Sequence, residues 1–328
     1  MTAERATTVP ADEAFASRVP VLLKGKVADW PLVSAARRSP TDAIAHLRGF
    51  DAGHPVTAFI GPPSIGGRYF YNDALDGFNF TPERHHLASV LDALQRHLDD
   101  PSPPALYVGS TTVETCLPGL LDASALSIAP AHALASIWLG NRGRIAAHQD
   151  LPDNLACVVA GRRRFTLFPP EQLPNLYIGP LDYTPAGQPV SLVDFAAPDF
   201  VRFPRFAEAL RHAQVFELAP GDALFIPGMW WHHVESLDGF NALINFWWRT
   251  SPAWMDTPMV ALMTALLCVR DLPAHERAIW HDVFRHYVFD CDDATAEHVP
   301  PSARRVLAPM DEAAARELRA RLLHRLNR

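Results

Sequence analysis

Between residues 136 and 248 the chain is a succession of short apolar runs: Ser136–Leu139, Arg144–His148, Leu155–Val159, Arg163–Phe168, Gln214–Leu218, Ala223–Ile226, Trp230–Glu235 and Ala242–Trp248. Turn signals separate most of them, at Gly140–Gly143, Ala160–Gly161, Pro169–Pro170, Pro220–Gly221 and Asp238–Gly239. Many short strands with no long helix between them predict an antiparallel barrel or jelly roll. Residues 171–213 interrupt the series as a long Pro- and Asp-rich insertion between two strands. Loops of that length in a compact domain are usually functional or disordered.

The flanks read differently. Residues 1–17 are polar and Ala-rich and are expected to fray into a flexible N-terminus. Val19–Lys24 reads as a strand, Pro40–Gly49 as a short helix, and Val56–Ile60 and Arg68–Tyr71 as strands around a Gly/Pro turn. His85–Leu98 places Leu87, Val90, Leu91, Leu94 and Leu98 at helical spacing. From about residue 256 the pattern is helical, over Met259–Val269, His275–Tyr287 and Glu312–Leu326. The expected organisation is a mainly β domain over residues 18–255, with N-terminal α/β additions, followed by a C-terminal helical region over 256–328.

Composition removes several other classes. With 48% apolar and 20% charged residues, a chain of 328 residues has ample core, which excludes wholesale disorder and a disulfide-stapled miniprotein. The net charge of −7 gives no general basic footprint for nucleic acid. Only Lys24 and Lys26 are lysines, so an Arg where a Lys is usual is weak evidence of altered function. Cys116, Cys157, Cys268 and Cys291 form no C-x-x-C pair and are expected to be free thiols in a reducing cytoplasm. Met1–Ala14 has no apolar signal segment, and the longest apolar run, Val260–Val269, is too short to cross a bilayer. A cytoplasmic protein with no membrane partner is expected.

Fifteen histidines raise the question of a metal. A His followed two residues later by an acid occurs at His97/Asp99, His148/Asp150 and His233/Glu235. On a helix such residues point about 200° apart, so His97/Asp99 cannot grip one ion. On a strand they share a face, and both other pairs stand. His232 and His233 must face opposite ways; the His232 face continues with Trp230, Val234 and Ser236, and the inner face of a small barrel is mostly apolar. That favours His232 inward and His233/Glu235 as the outer pair, although Trp231 on the second face weakens the argument. His148, Asp150 and His232 together make a two-His-one-carboxylate set that leaves positions open on Fe(II). By spacing alone these residues can equally be ordinary core or surface polar groups.

Longer blocks stand in order along the chain: His148-Gln149-Asp150, the stretch from Ala160-Gly161 to Pro169-Pro170, Val193-Asp194-Phe195, Pro198-Asp199-Phe200 and Arg202-Phe203-Pro204. Pro220-Gly221-Asp222, Ile226-Pro227, the stretch from Trp230 to Ser236, and Asn245-Phe246-Trp247 follow. In order and separation, over roughly residues 18–250, they resemble the JmjC-type cupins. The likeness is to the cupin-like branch that includes the asparaginyl hydroxylase called factor inhibiting hypoxia-inducible factor.

The resemblance implies a double-stranded β-helix, the cupin jelly roll, acting as a catalytic domain that binds Fe(II) and the cosubstrate 2-oxoglutarate. It implies that O₂ is used to hydroxylate an unactivated C–H bond. By motif position His148, Asp150 and His232 match the iron ligands. Arg163 falls where the family usually has a lysine for the distal carboxylate of 2-oxoglutarate. It shares strand parity with the apolar Phe165 and Leu167, and an Arg can bind a carboxylate bidentately. Asn154, Asn245 and Tyr107 match cosubstrate-contacting positions, and Trp247 matches an aromatic near the iron. One departure stands out: where the named hydroxylase has a threonine three residues before the first ligand, this chain has Ile145, so one cosubstrate hydrogen bond is lost or supplied elsewhere.

The family leans toward protein side chains, so a protein or peptide substrate is expected, with a small molecule as the other option and nucleic acid disfavoured by the acidic balance. The insertion 171–213 is the expected substrate wall. A non-catalytic metal- or ligand-binding cupin module, or a metal-dependent cupin enzyme without 2-oxoglutarate, are the alternatives; Arg163, Asn154 and Asn245 beside an intact triad speak against both. The named hydroxylase dimerises through C-terminal helices. Here Met259, Val260, Leu262, Met263, Leu266 and Leu267 make the first such helix apolar over much of its circumference, so a homodimer through residues 256–328 is expected.

Overall fold

The computed structural model describes residues 11–122 and 129–327. Its strands are β1 (Val21–Leu23), β2 (Pro55–Gly61), β3 (Arg68–Tyr69), β4 (Thr81–His86), β5 (Ala105–Thr112), β6 (Leu134–Gly140), β7 (Gly143–Gln149), β8 (Asp153–Ala160), β9 (Arg163–Phe168), β10 (Gln214–Leu218), β11 (Ala223–Ile226), β12 (Trp231–Ser236) and β13 (Asn241–Trp248). They form an eight-stranded sheet in the order β1-β11-β8-β13-β6-β5-β2-β4 and a five-stranded sheet in the order β10-β9-β12-β7-β3. From β6 onward the chain passes back and forth between the sheets, with β6, β8, β11 and β13 in the larger and β7, β9, β10 and β12 in the smaller. These pairings are antiparallel, and the arrangement is a jelly roll. β3 joins β7 in parallel.

Alternation along the strands builds three packed layers. Ala156, Val158, Phe165, Leu167, Leu224, Ile226, Val234 and Leu243 meet between the sheets. Behind the larger sheet, helices Pro31–Arg38, Pro40–Arg48 and Leu87–Arg96 bury Leu32, Ile44, Leu47 and Leu91 against Ile137, Phe225 and Phe246. The outer face of the smaller sheet is covered by the insertion, whose Leu176, Val193, Phe203 and Phe206 pack on Phe168 and Trp231. The turn from β8 to β9 requires glycine: Gly161 has φ +66°, and a Cβ there would lie 2.3 Å from Oδ1 of Asn241.

Several elements differ from the sequence expectation. Residues 1–10 of the expected flexible N-terminus lie outside the described residues. Ala11–Ala16 is a helix, and its Phe15 packs against Trp248 and Phe225 with ring centroids 5.0 Å apart in each pair. Helix Pro31–Arg38 and strand β5 lie where no element was expected, β4 takes His85 and His86 from the start of the expected helix, and the insertion contains a helix, Phe206–Arg211.

The chain divides into two compact units, Met1–Arg249 and Thr250–Arg328. The second consists of helices Pro258–Cys268, Ala274–Phe284 and Glu312–Leu326, with shorter turns between them. Neither of its first two helices has a buried residue, and Leu267 is 74% exposed. Among the described residues no helix is long and apolar enough to cross a membrane.

Candidate metal centre and its cavity

β7 and β12 lie side by side, and His232 stands directly opposite His148 in their register. On β7 three steps separate His148 from Ile145, while on β12 only two separate their partners His232 and Val234. That extra residue is a β-bulge, which resets the facing of the strand. It lets Ile145 and His148, three residues apart, line the same cavity. Asp150 follows β7 by one residue and shares the face of His148. Its carbonyl accepts the Met229 N–H at 2.7 Å, tying the end of β7 to the turn that enters β12. Met229 holds φ 68°, an uncommon conformation for a residue with a side chain and one met at functional sites.

The donor atoms of His148, Asp150 and His232 all lie within 4.8 Å of one another. Nδ1 of His148 donates to the Ala146 carbonyl at 2.9 Å, and Nδ1 of His232 to the Trp230 carbonyl at 3.0 Å. A carbonyl can only accept, so both rings carry their proton on Nδ1 and present an Nε2 lone pair to the centre. Nε2 of His232 lies 3.6 Å from Oδ2 of Asp150. Burial, then the neighbouring His232, pushes His148 down to about 4, so it is neutral at physiological pH. Burial works against the Asp150 carboxylate, but the neighbouring His232 and His148 outweigh it and hold the group at about 2. Two imidazoles and an ionised carboxylate on one side form the donor set that suits non-haem Fe(II) with open positions.

The triad borders a cavity of about 220 Å³. Arg163, Asn154, Asn245, Tyr107 and Trp247 all line it, so every residue singled out in the sequence is brought to one place. Arg163 is 2% exposed, and among the described residues its Nε and Nη2 have no hydrogen-bond partner. Its neighbours in sequence point outward to acids: Arg162 to Asp238 at 2.9 Å, and Arg164 to Glu235 and Glu217 at 3.4 and 3.3 Å. Burial lowers the Arg163 guanidinium to about 10, still charged near neutrality. Oδ1 of Asn245 accepts from Trp138 Nε1 at 2.8 Å, while Oδ1 of Asn154 has no partner among the described residues. Tyr69 and Trp138 also line the cavity and were missed in the sequence, because neither has a fixed spacing to the ligands; only the β3–β7 and β6–β13 pairings bring them in.

The insertion supplies Pro185, Ala186, Gln188 and Val190 to the wall. It is anchored on both sides of that stretch. The Ser191 N–H donates to the Ala147 carbonyl at 2.8 Å, and Asp194 pairs with Arg144 at 2.9 Å and Arg68 at 3.6 Å. Before it, the Tyr183 ring stacks on Phe78 with centroids 4.9 Å apart. The same covering changes the expectation for His233. It does lie on the face opposite His232, but it is 5% exposed and stacks on Phe195 at 4.6 Å. Burial, then the charge of Arg144, lowers it to about 3.

A family model described as a cupin-like domain matches residues 6–253. HSPB1-associated protein 1 of Homo sapiens is 37% identical over 136 residues, 41% of this chain and 27% of that protein. Lysine-specific demethylase JMJ31 of Arabidopsis thaliana is 35% identical over 158 residues, 46% of this chain and 27% of that protein. The bifunctional peptidase and (3S)-lysyl hydroxylase JMJD7 of Homo sapiens is 25% identical over 262 residues, 70% of this chain and 77% of that protein. The matched stretch thus spans about a quarter of the length of the first two relatives.

Proposed function

This chain belongs to the cupin-like family of JmjC-type cupins, and on that premise we propose that it is an Fe(II)- and 2-oxoglutarate-dependent oxygenase that hydroxylates an unactivated C–H bond on a protein side chain. Arg163 is the observation that carries the reading. A buried guanidinium with no carboxylate partner among the described residues is costly to keep. A dicarboxylate ligand in the cavity, fixed bidentately, offsets that cost.

The donor set fits iron, and the cavity fits the cosubstrate. When bound, Fe(II) and 2-oxoglutarate supply the dioxygen chemistry, in which the cosubstrate is oxidised to succinate and CO₂ as the substrate gains a hydroxyl. The chain's own task is placement. The Ala146 and Trp230 carbonyls fix the two rings so that Nε2 faces the metal position. Asp150 stays ionised beside them. Arg163 neutralises the distal carboxylate, and the side chains of Asn154, Asn245 and Tyr107 offer uncharged hydrogen bonds. Trp247, Trp138 and Phe165 line the same space with apolar surface and exclude water.

The names of two relatives, a demethylase of lysine and a lysyl hydroxylase, support a protein side chain as the target. The four cysteines are free thiols, which supports a reducing cytoplasmic setting. The deciding experiment is anaerobic addition of Fe(II) and 2-oxoglutarate to the pure protein, read as a metal-to-ligand charge-transfer band. A saturable band that is lost in His232→Ala is expected. Saturable metal binding without any 2-oxoglutarate-dependent band overturns the reading in favour of a metal cupin that does not use this cosubstrate.

A further inference from the structure

We infer that Tyr69 binds the cosubstrate: its phenol hydroxyl donates a hydrogen bond to the distal carboxylate of 2-oxoglutarate, beside Arg163. The inference rests on the oxygenase reading above. A carboxylate offers only acceptor positions, about four of them, so its site needs several donors. Of the strands bordering that end of the cavity, β9 gives Arg163, while β7 gives Ile145, whose side chain has nothing to donate. β3 lies next to β7, and Tyr69 stands directly opposite Ile145 in the parallel register. Opposed residues on neighbouring strands project to the same face. Both line the cavity.

Tyr69 is 4% exposed, and among the described residues its hydroxyl has no hydrogen-bond partner. Buried phenols ordinarily find one, and an orphan calls for an occupant. The ring is held in place, with centroids 5.4 Å from Tyr107 and 5.7 Å, edge-on, from Phe80. Gly143 gives it room, since a Cβ there would come within 3.3 Å of the ring. Tyr107 neighbours both Tyr69 and Arg163, so the phenol and the guanidinium flank one region of the cavity. Burial raises the Tyr69 hydroxyl well above its usual range, so it remains a donor throughout the physiological span.

The test is the affinity for 2-oxoglutarate of the full chain loaded with Mn(II), measured by calorimetry. Tyr69→Phe keeps the ring and removes only the donor, and it is expected to weaken binding about tenfold, the effect of one hydrogen bond to a charged group. Ile145→Thr places a hydroxyl on the same face from the neighbouring strand, so adding it to Tyr69→Phe is expected to recover most of the loss. A Tyr69→Phe protein that binds as tightly as the wild type overturns the assignment and leaves the oxygenase reading standing. A loss that Ile145→Thr does not recover is a loss of packing and overturns it as well. If the wild type itself shows no saturable binding and Arg163→Ala is indistinguishable from it, the oxygenase reading fails and this assignment falls with it.

Discussion

The two compact units treat apolar surface in opposite ways. In the first, Phe165, Phe168, Phe206, Phe225 and Trp231 are wholly buried, and every side chain of the candidate site belongs to the same unit. In the second, Val260, Leu262, Met263 and Leu267 of one helix are exposed, and so are Ile279 and Trp280 of the next. A helix apolar around most of its circumference is stable in water only when several sides are covered. We propose that the exposed helices pair with those of a second copy, so that the proposed chemistry and the association would lie in different stretches of chain.

That division can be broken by substitution. The largest effects are expected at the metal centre: His148→Ala, Asp150→Ala and His232→Ala each abolish the charge-transfer band while the mass in light scattering is unchanged. His233→Ala keeps the band; a His233 variant that loses iron while the His232 variant holds it defeats the facing argued for β12. Next comes the core, where Phe225→Ala costs about 3–5 kcal/mol in urea denaturation. Arg163→Ala weakens 2-oxoglutarate by roughly 2–5 kcal/mol, and Arg163→Lys by less. Arg162→Ala and Arg164→Ala stay within about 1 kcal/mol of wild type, because their pairs are at the surface. An unchanged cosubstrate requirement in Arg163→Ala moves the carboxylate clamp elsewhere.

The smallest effect on folding is expected in the helical unit, where Leu267→Ser shifts the stability of an isolated subunit by no more than about 0.5 kcal/mol. Its effect on assembly is the informative one. The full chain is expected to scatter as a dimer at micromolar concentration, and Leu267→Ser with Ile279→Ser to lower that mass while the charge-transfer band persists. A monodisperse monomer from the full chain defeats the pairing. A chain ending near Asp256 that still dimerises places the interface outside the helices.

The jelly-roll strands are legible in the sequence because one face of each is buried and the alternation shows: β9, β10 and β11 begin and end where the residue pattern puts them. β4 is not legible, since Thr81–His86 is an edge strand that is polar and mostly exposed and contains a proline. β5 is obscured by Gly109 and Ser110, which fall at a break in its register with β6. Strand parity leaves His148, Asp150 and His232 as one option, and the resemblance to the JmjC-type cupins selects them; it also selects Arg163, with which the apolar parity of Phe165 and Leu167 agrees. The burial of His233 is not, because it depends on Phe195 arriving from a distant loop. Tyr69 is equally hidden: its value lies in the register with Ile145, some seventy-five residues away by the numbering, which local pattern does not encode.

The two anchors of the insertion bear on how such a protein changes its preferences over generations. Ser191 and Asp194 fasten one side to the strand that carries His148, and Tyr183 fastens the other to Phe78. The stretch Thr184–Pro189 between them holds Pro185, Ala186 and Gln188 at the cavity, while Gly187, at φ +94°, sits in a left-handed conformation that favours glycine even though the space around it is open. Under the proposed function, substitutions at Pro185, Ala186 and Gln188 are expected to leave both anchors and the positions of His148, Asp150 and His232 unchanged. If the insertion forms the substrate wall of the proposed oxygenase, selection for a new substrate would have a segment to rewrite apart from the metal centre, and grafting Thr184–Pro189 between relatives, with Gly187 kept, is expected to transfer preference while the charge-transfer band persists.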